Sequence, residues 1–480
     1  MFDPQTNFYL IASVSVFIIF IIGFSIYVSL RIKTYEDYNV AGRNVSLPAL
    51  VLTMMGTAIG GSTVLGFTTS GYLLGLGRSW EILPAYLIFI LMLVFLLRAI
   101  RSLGTSYNLI TIPDFTALRY GEKARLPSAL ALLFAYCAIT GMQYTAIASF
   151  FYIATGLDMK AGIFLGWLIL TAKTFLGGLK AVIMADSIQG TVQNLGILIL
   201  FVVLLASIGG FGGAMEKAEA MGDPDFLNPL RMPLGDFVVF FFTLGAYQVV
   251  RQDVWQRVWA AKNARVAFTG FWVSTVFSFL ITIAVFALGS FGRLAGIAMD
   301  EPALAFYSIS AAVLPAAIFI IVITALMATI ISCGDSNLVA GASSLSNDIL
   351  RPLLGATEER KLVSYSRYAV LMTSLVALVL ALYIPRLIEL WVTGTAMLTS
   401  GLLFPVLAAL YWKRATGPGG VTAIWGGLLA AVVWQLMGHP LGLHPVLIGL
   451  PVSFLLLLTV SLLTKPMQDY LFDTLAAGKR

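Results

Sequence analysis

The sequence is poor in charge and in cysteine. Charged residues make up 11% of its 480 residues, whereas hydrophobic residues make up 59% and the mean hydropathy is +0.93. Soluble domains carry about 25% charged residues, so the composition excludes a soluble protein. The two cysteines, Cys137 and Cys333, both lie in apolar runs, which excludes a disulfide framework. The long apolar runs do not alternate with polar residues as the strands of a membrane barrel do, so we predict an all-α polytopic membrane protein.

Apolar runs of about 20 residues, the length that crosses a bilayer as a helix, divide the chain into spans. Thirteen such runs are present, and no soluble domain is attached to them. Their approximate centres are Val16, Gly56, Phe89, Gly141, Leu168, Leu195, Thr243, Ser278, Val322, Ser374, Leu402, Leu428 and Leu455.

The basic residues predict the orientation of these spans. With the N-terminus outside, 22 of the 29 Lys and Arg residues fall on the inner side, six fall on the outer side, and Lys173 lies within a span. Inner loops of membrane proteins are enriched in Lys and Arg. We therefore expect an integral plasma (inner) membrane protein with its N-terminus outside and its C-terminus in the cytoplasm. The net charge of +6 follows from this topology and does not indicate nucleic-acid binding.

Three oxygen-bearing side chains share one face of a helix in residues 329–350, TIISCGDSNLVAGASSLSNDIL. Ser332, Asp335 and Ser336 are spaced i, i+3 and i+4 behind a long apolar run. A carboxylate at this depth is costly and marks a functional site, and oxygen clusters suit hard cations such as sodium. Close packing of small residues is the alternative interpretation, but close packing does not require Asp335.

Glycines interrupt two spans that are five spans apart. Gly56, Gly60 and Gly61 cluster at mid-depth in LPALVLTMMGTAIGGSTVLGF, and Gly245 lies at a comparable depth in FFFTLGAYQVVRQDVWQR. Glycine destabilises helix interiors, and unwound backbone at this depth is tolerated where it lines a cavity. Two interruptions at corresponding positions are typical of inverted-repeat transporters with carbonyl-lined ion sites. A close-packed crossing of two helices is the alternative for the first.

Polar residues follow the second interruption, and a further carboxylate lies elsewhere at membrane depth. We expect Arg251, Gln252, Asp253 and Arg257 to form a cytoplasmic charged cluster.

Asp186 lies about 9 Å of helix rise beyond Lys180 and requires a cation or a base. Asp335 and Ser336 could face it with sodium between the two carboxylates. Lys173 is the rival partner of Asp186, but we expect it to extend to the membrane surface instead.

Several segments together resemble the sodium:solute symporter family over residues 37–416. The segments, in chain order, are DYNVAGR at Asp37, FLGGLKAVIMADSIQG at Phe175, QRVWAAKN at Gln256, the stretch at Thr329, and FPVLAALYWKRATGPGG at Phe404. The resemblance implies a LeuT-type fold with broken first and sixth core helices. Residues 48–208 and 234–412 would form two inverted five-helix repeats. Residues 1–47 would add an extra helix and an inner loop, residues 209–233 an external loop, and residues 413–480 two helices and a tail.

The resemblance also implies sodium as the coupling ion and two groups of ligands. The shared sodium site would use the carbonyls of Gly56, Ile59 and Thr329, the hydroxyl of Ser332, and Cys333 where the family usually has Ser or Thr. Some relatives bind another sodium ion, and its ligands here would be Asp186, Ser332, Asp335 and Ser336.

This sequence departs from the family pattern at two of these positions. A thiol is a soft, poor ligand for sodium, so Cys333 should weaken the shared site. Asp335 replaces a hydroxyl and should strengthen cation binding or make it proton-dependent. If the two departures compensate, Asp335→Ser weakens sodium dependence and Cys333→Ser strengthens it.

The resemblance places the solute at mid-membrane between the first, second, sixth and tenth core helices. Glu81, after Trp80, occupies the place of an acidic residue in sugar-carrying relatives, and Tyr247 that of a gating aromatic. The alternative for Glu81 is an interfacial residue at an outer helix start. The predicted solute residues are Ala58, Thr63, Trp80, Glu81, Leu244, Tyr247, Gln248 and Thr395.

The predicted function is sodium-coupled symport of a small polar organic solute, such as an amino acid or a sugar, by alternating access. We expect no enzymatic activity, because the chain shows no nucleotide-binding motif and no nucleophile–base pair. The expected partners are sodium, the solute and the lipid bilayer, without nucleic acid or an obligate protein partner. Three alternatives stay open: a proton-coupled carrier of the same fold, a channel, and a solute sensor, although a sensor usually carries a signalling domain that this chain does not show.

Overall fold

A computed structural model describes residues 4–229, 231, 234–299, 301–355, 358–384 and 387–465. The predicted tail beyond residue 465 lies outside the described residues. The helices are α1 (Pro4–Ser29), α2 (Leu47–Ala58), α3 (Gly61–Leu74), α4 (Leu76–Ser106), α5 (Ile112–Tyr120), α6 (Arg125–Thr155), α7 (Met159–Ser207), α8 (Gly210–Ala220), α9 (Leu234–Phe240), α10 (Gln252–Ala260), α11 (Ala264–Leu294), α12 (Ala305–Val313), α13 (Ala316–Ser344), α14 (Glu359–Tyr383), α15 (Leu387–Tyr411), α16 (Gly417–Leu436) and α17 (Val446–Leu463).

These helices can be compared with the thirteen predicted spans. Eleven helical segments of the described residues are long and apolar enough to cross a membrane, and α2 with α3 forms a twelfth span that is bent by 51°. A thirteenth would come from α7, whose 49 residues amount to about 74 Å of helix rise, more than twice the thickness of a bilayer core. Gly178, with φ 52° and ψ −164°, interrupts α7 between its two crossings. The described residues thus hold eleven spans, or twelve with the bent pair, and the predicted thirteen follow if α7 is counted as two crossings.

The first predicted break lies between α2 and α3. The last hydrogen bond of α2 joins Ile59 N to Met55 O at 3.1 Å, and Ile59 itself is extended with φ −111° and ψ 90°. Gly60 is also extended, and α3 begins at Gly61. Glycine is required here for close approach: a Cβ on Gly60 would lie 2.5 Å from Cys333 Sγ on α13. The break is therefore packed directly against α13.

Two glutamines hydrogen-bond the backbone groups that the break frees. Gln143 Oε1 on α6 accepts from Gly61 N at 3.2 Å. Gln193 Nε2 on α7 donates to Ile59 O at 3.2 Å. Both side chains are fully buried. In a membrane, where water cannot reach these groups, such partners are needed to keep the chain unwound.

The second interruption lies further along the chain than Gly245. After α9 the chain continues as a π-helical turn at Phe241–Gly245 and a 3-10 helix at Ala246–Val250. The helix is interrupted at Arg251, whose backbone is extended with φ −73° and ψ 106°. Gly245 stays helical because its role is close approach: a Cβ there would lie 2.8 Å from Pro84 Cβ. The broken sixth core helix is confirmed, and its break is displaced by six residues.

Backbone hydrogen bonds join the start of the first broken helix to the end of the second. Val45 N donates to Ala260 O at 3.0 Å, and Lys262 N donates to Val45 O at 2.9 Å. These bonds connect the chain just before α2 to the end of α10. The two interrupted helices therefore meet side by side, with α13 packed against the first.

Gln143→Met should lower the stability of the protein, because it leaves the Gly61 N–H buried without an acceptor. An unsatisfied buried donor costs about 1–3 kcal/mol, so the thermal unfolding midpoint of the detergent-solubilised protein should fall by several degrees.

The matched control is Thr140→Val, one turn earlier on the same helix. The Thr140 hydroxyl is buried and has no hydrogen-bond partner among the described residues, so this change should leave the midpoint unchanged or higher. Equal midpoints for Gln143→Met and wild type would show that Gln143 does not hold the break open.

Candidate functional site

The first break lies directly against the polar face of α13. A Cβ built on Gly56 would lie 2.8 Å from Ser332 Oγ, and the Cys333 thiol donates to Thr57 O at 3.6 Å. The Ser332 side chain is fully buried, and that of Cys333 nearly so. The structure thus brings the glycine-containing segment and the predicted ligands of α13 into contact.

Of the predicted ligands of the shared sodium site, the structure brings Gly56 and Ser332 into contact and places Cys333 beside Thr57 of the same segment. Because α2 ends its hydrogen bonding at Met55 O, the carbonyl of Gly56 has lost its helical donor. Ile59 O points out of the helical ladder toward Gln193. Carbonyl and hydroxyl oxygens are the hard ligands that sodium requires, so the residues present are chemically suited to the ion. Their role as ligands stays a prediction.

Asp186 is fully buried and hydrogen-bonded by two hydroxyls. Ser332 Oγ donates to its Oδ1 at 2.5 Å, and Thr53 Oγ1 donates to its Oδ2 at 2.5 Å. The guanidinium of Arg257 completes the set, with Nη2 3.3 Å from Asp186 Oδ2. The base that Asp186 requires is therefore Arg257, which the sequence analysis placed elsewhere.

Asp335 forms a buried ion pair with Lys173. The lysine side chain is 2% exposed, and its Nζ contacts Asp335 Oδ2 directly. Thr174 Oγ1 donates to the other carboxylate oxygen at 2.7 Å. The expectation that Lys173 extends to the membrane surface is wrong, because the carboxylate on α13 offers its ammonium group a partner inside the bundle. The partner of Asp335 in the structure is thus a lysine, where the sequence analysis expected a sodium ion.

The predicted cytoplasmic charged cluster is also buried. Arg257 Nη2 donates to Ser336 Oγ at 2.6 Å, and Arg251 Nη2 lies 2.5 Å from Asp253 Oδ2. Tyr136 OH donates to Asp253 Oδ1 at 2.6 Å. None of the four residues is more than 8% exposed. The residues thus form a charged cluster, and each of its charges has a partner inside the bundle; its place on the cytoplasmic side stays a prediction.

The sequence analysis missed the roles of Lys173, Arg257, Gln143 and Gln193. Charge balance was the one signal that could have revealed the first two. Two carboxylates at membrane depth need two bases, and Lys173 is the basic residue that lies within a span. The glutamines carried no comparable signal, because a single amide in an apolar run equally suits helix packing.

Among the predicted solute residues, Glu81 and Trp80 lie at the start of α4. Glu81 is 3% exposed and accepts from Arg78 Nε at 2.6 Å. Arg78 also contacts Asp236 Oδ2 at 2.8 Å, and the Trp80 ring lies edge-on to Phe237 at 6.0 Å. Glu81 is therefore a buried partner of Arg78 at a helix start, and its role as a solute residue stays a prediction.

Tyr247 and Gln248 meet at Arg251. The guanidinium lies 5.7 Å from the centre of the Tyr247 ring, and Arg251 Nη1 donates to Gln248 Oε1 at 3.0 Å. Leu244 and Thr395 are buried, and the helix that carries Thr395 packs against Ala246–Val250. Thr63, on α3, is 5% exposed.

A small internal cavity of about 20 Å³ borders Ala58, Thr57, Arg251 and Ser278. That volume holds about one water molecule. Of the eight predicted solute residues, Ala58 lines this cavity and the other seven do not. At this position, a solute could enter only if the neighbouring helices separate.

Comparison with known proteins places this arrangement in a family. A profile of the sodium:solute symporter family matches residues 38–429. The chain is 26% identical over 449 residues to a sodium/pantothenate symporter of Haemophilus influenzae, covering 90% of this chain and 91% of the relative. It is 26% identical over 461 residues to the high-affinity proline transporter PutP of Bacillus subtilis, covering 92% and 96%.

A solved structure of similar fold is that of a Na⁺-coupled sialic acid symporter in a substrate-bound outward-open state. It matches with a TM-score of 0.81 at 18% sequence identity and covers 96% of this chain and 99% of that one. The LeuT-type fold, the resemblance and sodium as the coupling ion are thereby confirmed. The chain belongs to the sodium:solute symporter family.

Proposed function

We propose that the protein takes up a small polar organic solute by sodium-coupled symport. The observation that carries this proposal is the contact between the break at Ile59–Gly60 and the polar face of α13 around Ser332. A sodium ion held there by Gly56, Ile59, Thr329, Ser332 and Cys333 would fix the first core helix against α13. Coupling requires that sodium and solute prefer the same conformation of the carrier.

Alternating access follows from the same contact. Sodium binding stabilises the outward-facing state and orders the solute pocket, and solute binding closes the outer side. Opening of the inner side separates α2 from α13 and releases both. The two repeats, 48–208 and 234–412, each contain one interrupted helix, which supports a movement of one repeat against the other.

The solute would lie beside the interruptions, among Ala58, Thr63, Leu244, Tyr247, Gln248 and Thr395, with Trp80 and Glu81 toward the outer end. Because Arg78 already neutralises Glu81, hydrogen bonding to solute hydroxyl or amide groups suits this end better than pairing with an ammonium group. The excess of basic residues in one set of loops supports an inner-membrane protein with its N-terminus outside and its C-terminus inside. No catalytic step is proposed.

A thermal-shift screen of the purified protein tests the function. A first panel of proline, pantothenate and a sialic acid, followed by other small polar solutes, is measured in sodium and in potassium buffers. A ligand at 100 times its Kd stabilises the folded state by about 2.7 kcal/mol. One solute class should therefore raise the midpoint by several degrees in sodium and by much less in potassium.

The solute that binds is then used in a transport assay, in which its uptake into proteoliposomes identifies the coupling ion. Concentrative uptake should require an inward sodium gradient. Uptake that is equal in sodium and potassium but collapses with the pH gradient would contradict the proposal and identify a proton-coupled carrier. Flux without concentration of the solute would identify a channel.

Cys333→Ser should strengthen the sodium dependence of solute binding. The change replaces a soft thiol beside the break with a hard hydroxyl ligand. A net gain of about 1 kcal/mol, typical of one added polar interaction, lowers the half-activating sodium concentration about fivefold. The midpoint shift as a function of sodium concentration measures it.

Cys137→Ser is the matched control, because the Cys137 thiol is buried but donates to Thr373 O at 3.6 Å, away from the break. It should leave the sodium dependence unchanged. An unchanged value for Cys333→Ser, or an equal shift in both variants, would remove Cys333 from the site.

A further inference from the structure

Two basic side chains are buried where the sequence predicts the ligands of an additional sodium ion. Lys173 is 2% exposed and Arg257 is 1% exposed, whereas the carboxylates of Asp186 and Asp335 are fully buried. Fully desolvated charges are stable in a bundle only as pairs with good hydrogen bonding. The partners of these four groups therefore decide whether a further cation fits.

Lys173 binds Asp335 in the way that a metal cation would. Its Nζ contacts Asp335 Oδ2 and lies 3.3 Å from Gln189 Oε1. Thr174 Oγ1 donates to Asp335 Oδ1 at 2.7 Å. Both oxygens of this carboxylate are therefore engaged.

Arg257 occupies the other half of the predicted site. It donates through Nη2 to Ser336 Oγ at 2.6 Å and to Asp186 Oδ2 at 3.3 Å, and through Nε to Thr53 Oγ1 at 3.0 Å. Three of the four predicted ligands thus contact a basic side chain, and the fourth, Ser332, donates to Asp186.

The charges of this region balance without a metal ion. Asp186 and Asp335 carry two negative charges, and Lys173 and Arg257 carry two positive charges. A sodium ion at the predicted additional site would have to displace Lys173 or Arg257 from the oxygens that they contact, and the displaced base would then be buried without its partner. The shared site differs, because within the described residues neither base donates to Gly56, Ile59, Thr329 or Ser332.

We propose that Lys173 and Arg257 are built-in cations that replace an additional sodium ion between Asp186 and Asp335. The carrier then binds a single sodium ion, at the shared site. This inference rests on the proposed sodium coupling. Because the ammonium and guanidinium groups are tethered, they remain with the protein throughout the cycle and contribute no ion to the coupling.

Counting bound sodium on the purified wild-type protein tests the inference and the proposed function separately. Equilibrium binding of radioactive sodium at about pH 8, where carboxylates are ionised, should saturate at one ion per chain. Saturation at two ions would overturn the inference and leave sodium coupling intact. Binding of none would overturn the proposed function.

The variant Lys173→Met should raise the number of sodium ions bound per chain. It leaves Asp335 without its base, so the variant should bind a second sodium ion per chain. Lys180→Met is the matched control, because Lys180 lies on the same helix and pairs with Asp37 at 2.7 Å in a half-exposed position; it should bind one ion. A folded Lys173→Met that binds one ion would overturn the role of Lys173.

The double variant Lys173→Met/Asp335→Asn distinguishes two causes of a second bound sodium ion in Lys173→Met: binding beside the freed Asp335 carboxylate, or binding elsewhere in a destabilised structure. It removes both charges of the pair, so it should return to one bound ion. A second ion in this variant would show that sodium does not occupy the position freed beside Asp335, which contradicts the inference. If Lys173→Met does not fold, the wild-type count still decides.

Discussion

A helix interrupted inside a membrane must find partners for the backbone groups that it frees, and this constraint organises the centre of the protein. The break at Ile59–Gly60 is held by Gln143 from α6 and Gln193 from α7, while α13 approaches so closely that only glycine fits at position 60. Three helices distant in sequence are therefore fixed around one short segment. The oxygens that such a segment presents are what a cation requires, so the structural and functional demands coincide.

Buried charge imposes the second constraint. Arg257 is tied to α7 through Asp186 and to α13 through Ser336, and Lys173 ties α7 to α13 through Asp335. Breaking either ion pair, Arg257 with Asp186 or Lys173 with Asp335, leaves an uncompensated buried charge, so electrostatics as well as packing hold α7, α10 and α13 in register. Their neutrality also sets which cation sites remain available, and this links the stability of the bundle to the number of ions that it binds.

The fold was largely predictable and the pairing of charges was not. Thirteen apolar runs and the cluster at Gly56, Gly60 and Gly61 predicted the spans and the first break, because hydropathy and glycine content act locally. Lys173 and Asp335 are 162 residues apart. A long side chain inside a span can extend toward the surface or toward the core, and only the helix packed against it decides between them. The second break was displaced for a related reason: Gly245 serves a close contact with Pro84, which the sequence cannot distinguish from unwinding.

Ser332 connects the break in the first core helix to the carboxylate of Asp186. Its hydroxyl proton is donated to Asp186 at 2.5 Å, which leaves the lone pairs of Oγ free to face the break. By accepting this proton, Asp186 makes Ser332 Oγ more negative toward the proposed shared site. Arg257 pairs with the other oxygen of the same carboxylate and partly neutralises its charge. The affinity of the proposed site for a cation then depends on how strongly Asp186 interacts with Ser332 and how strongly it interacts with Arg257. Because Arg257 lies on α10, in the second half of the sixth core helix, a movement of α10 would alter how Arg257 and Ser332 share Asp186, and with it the affinity of the proposed sodium site.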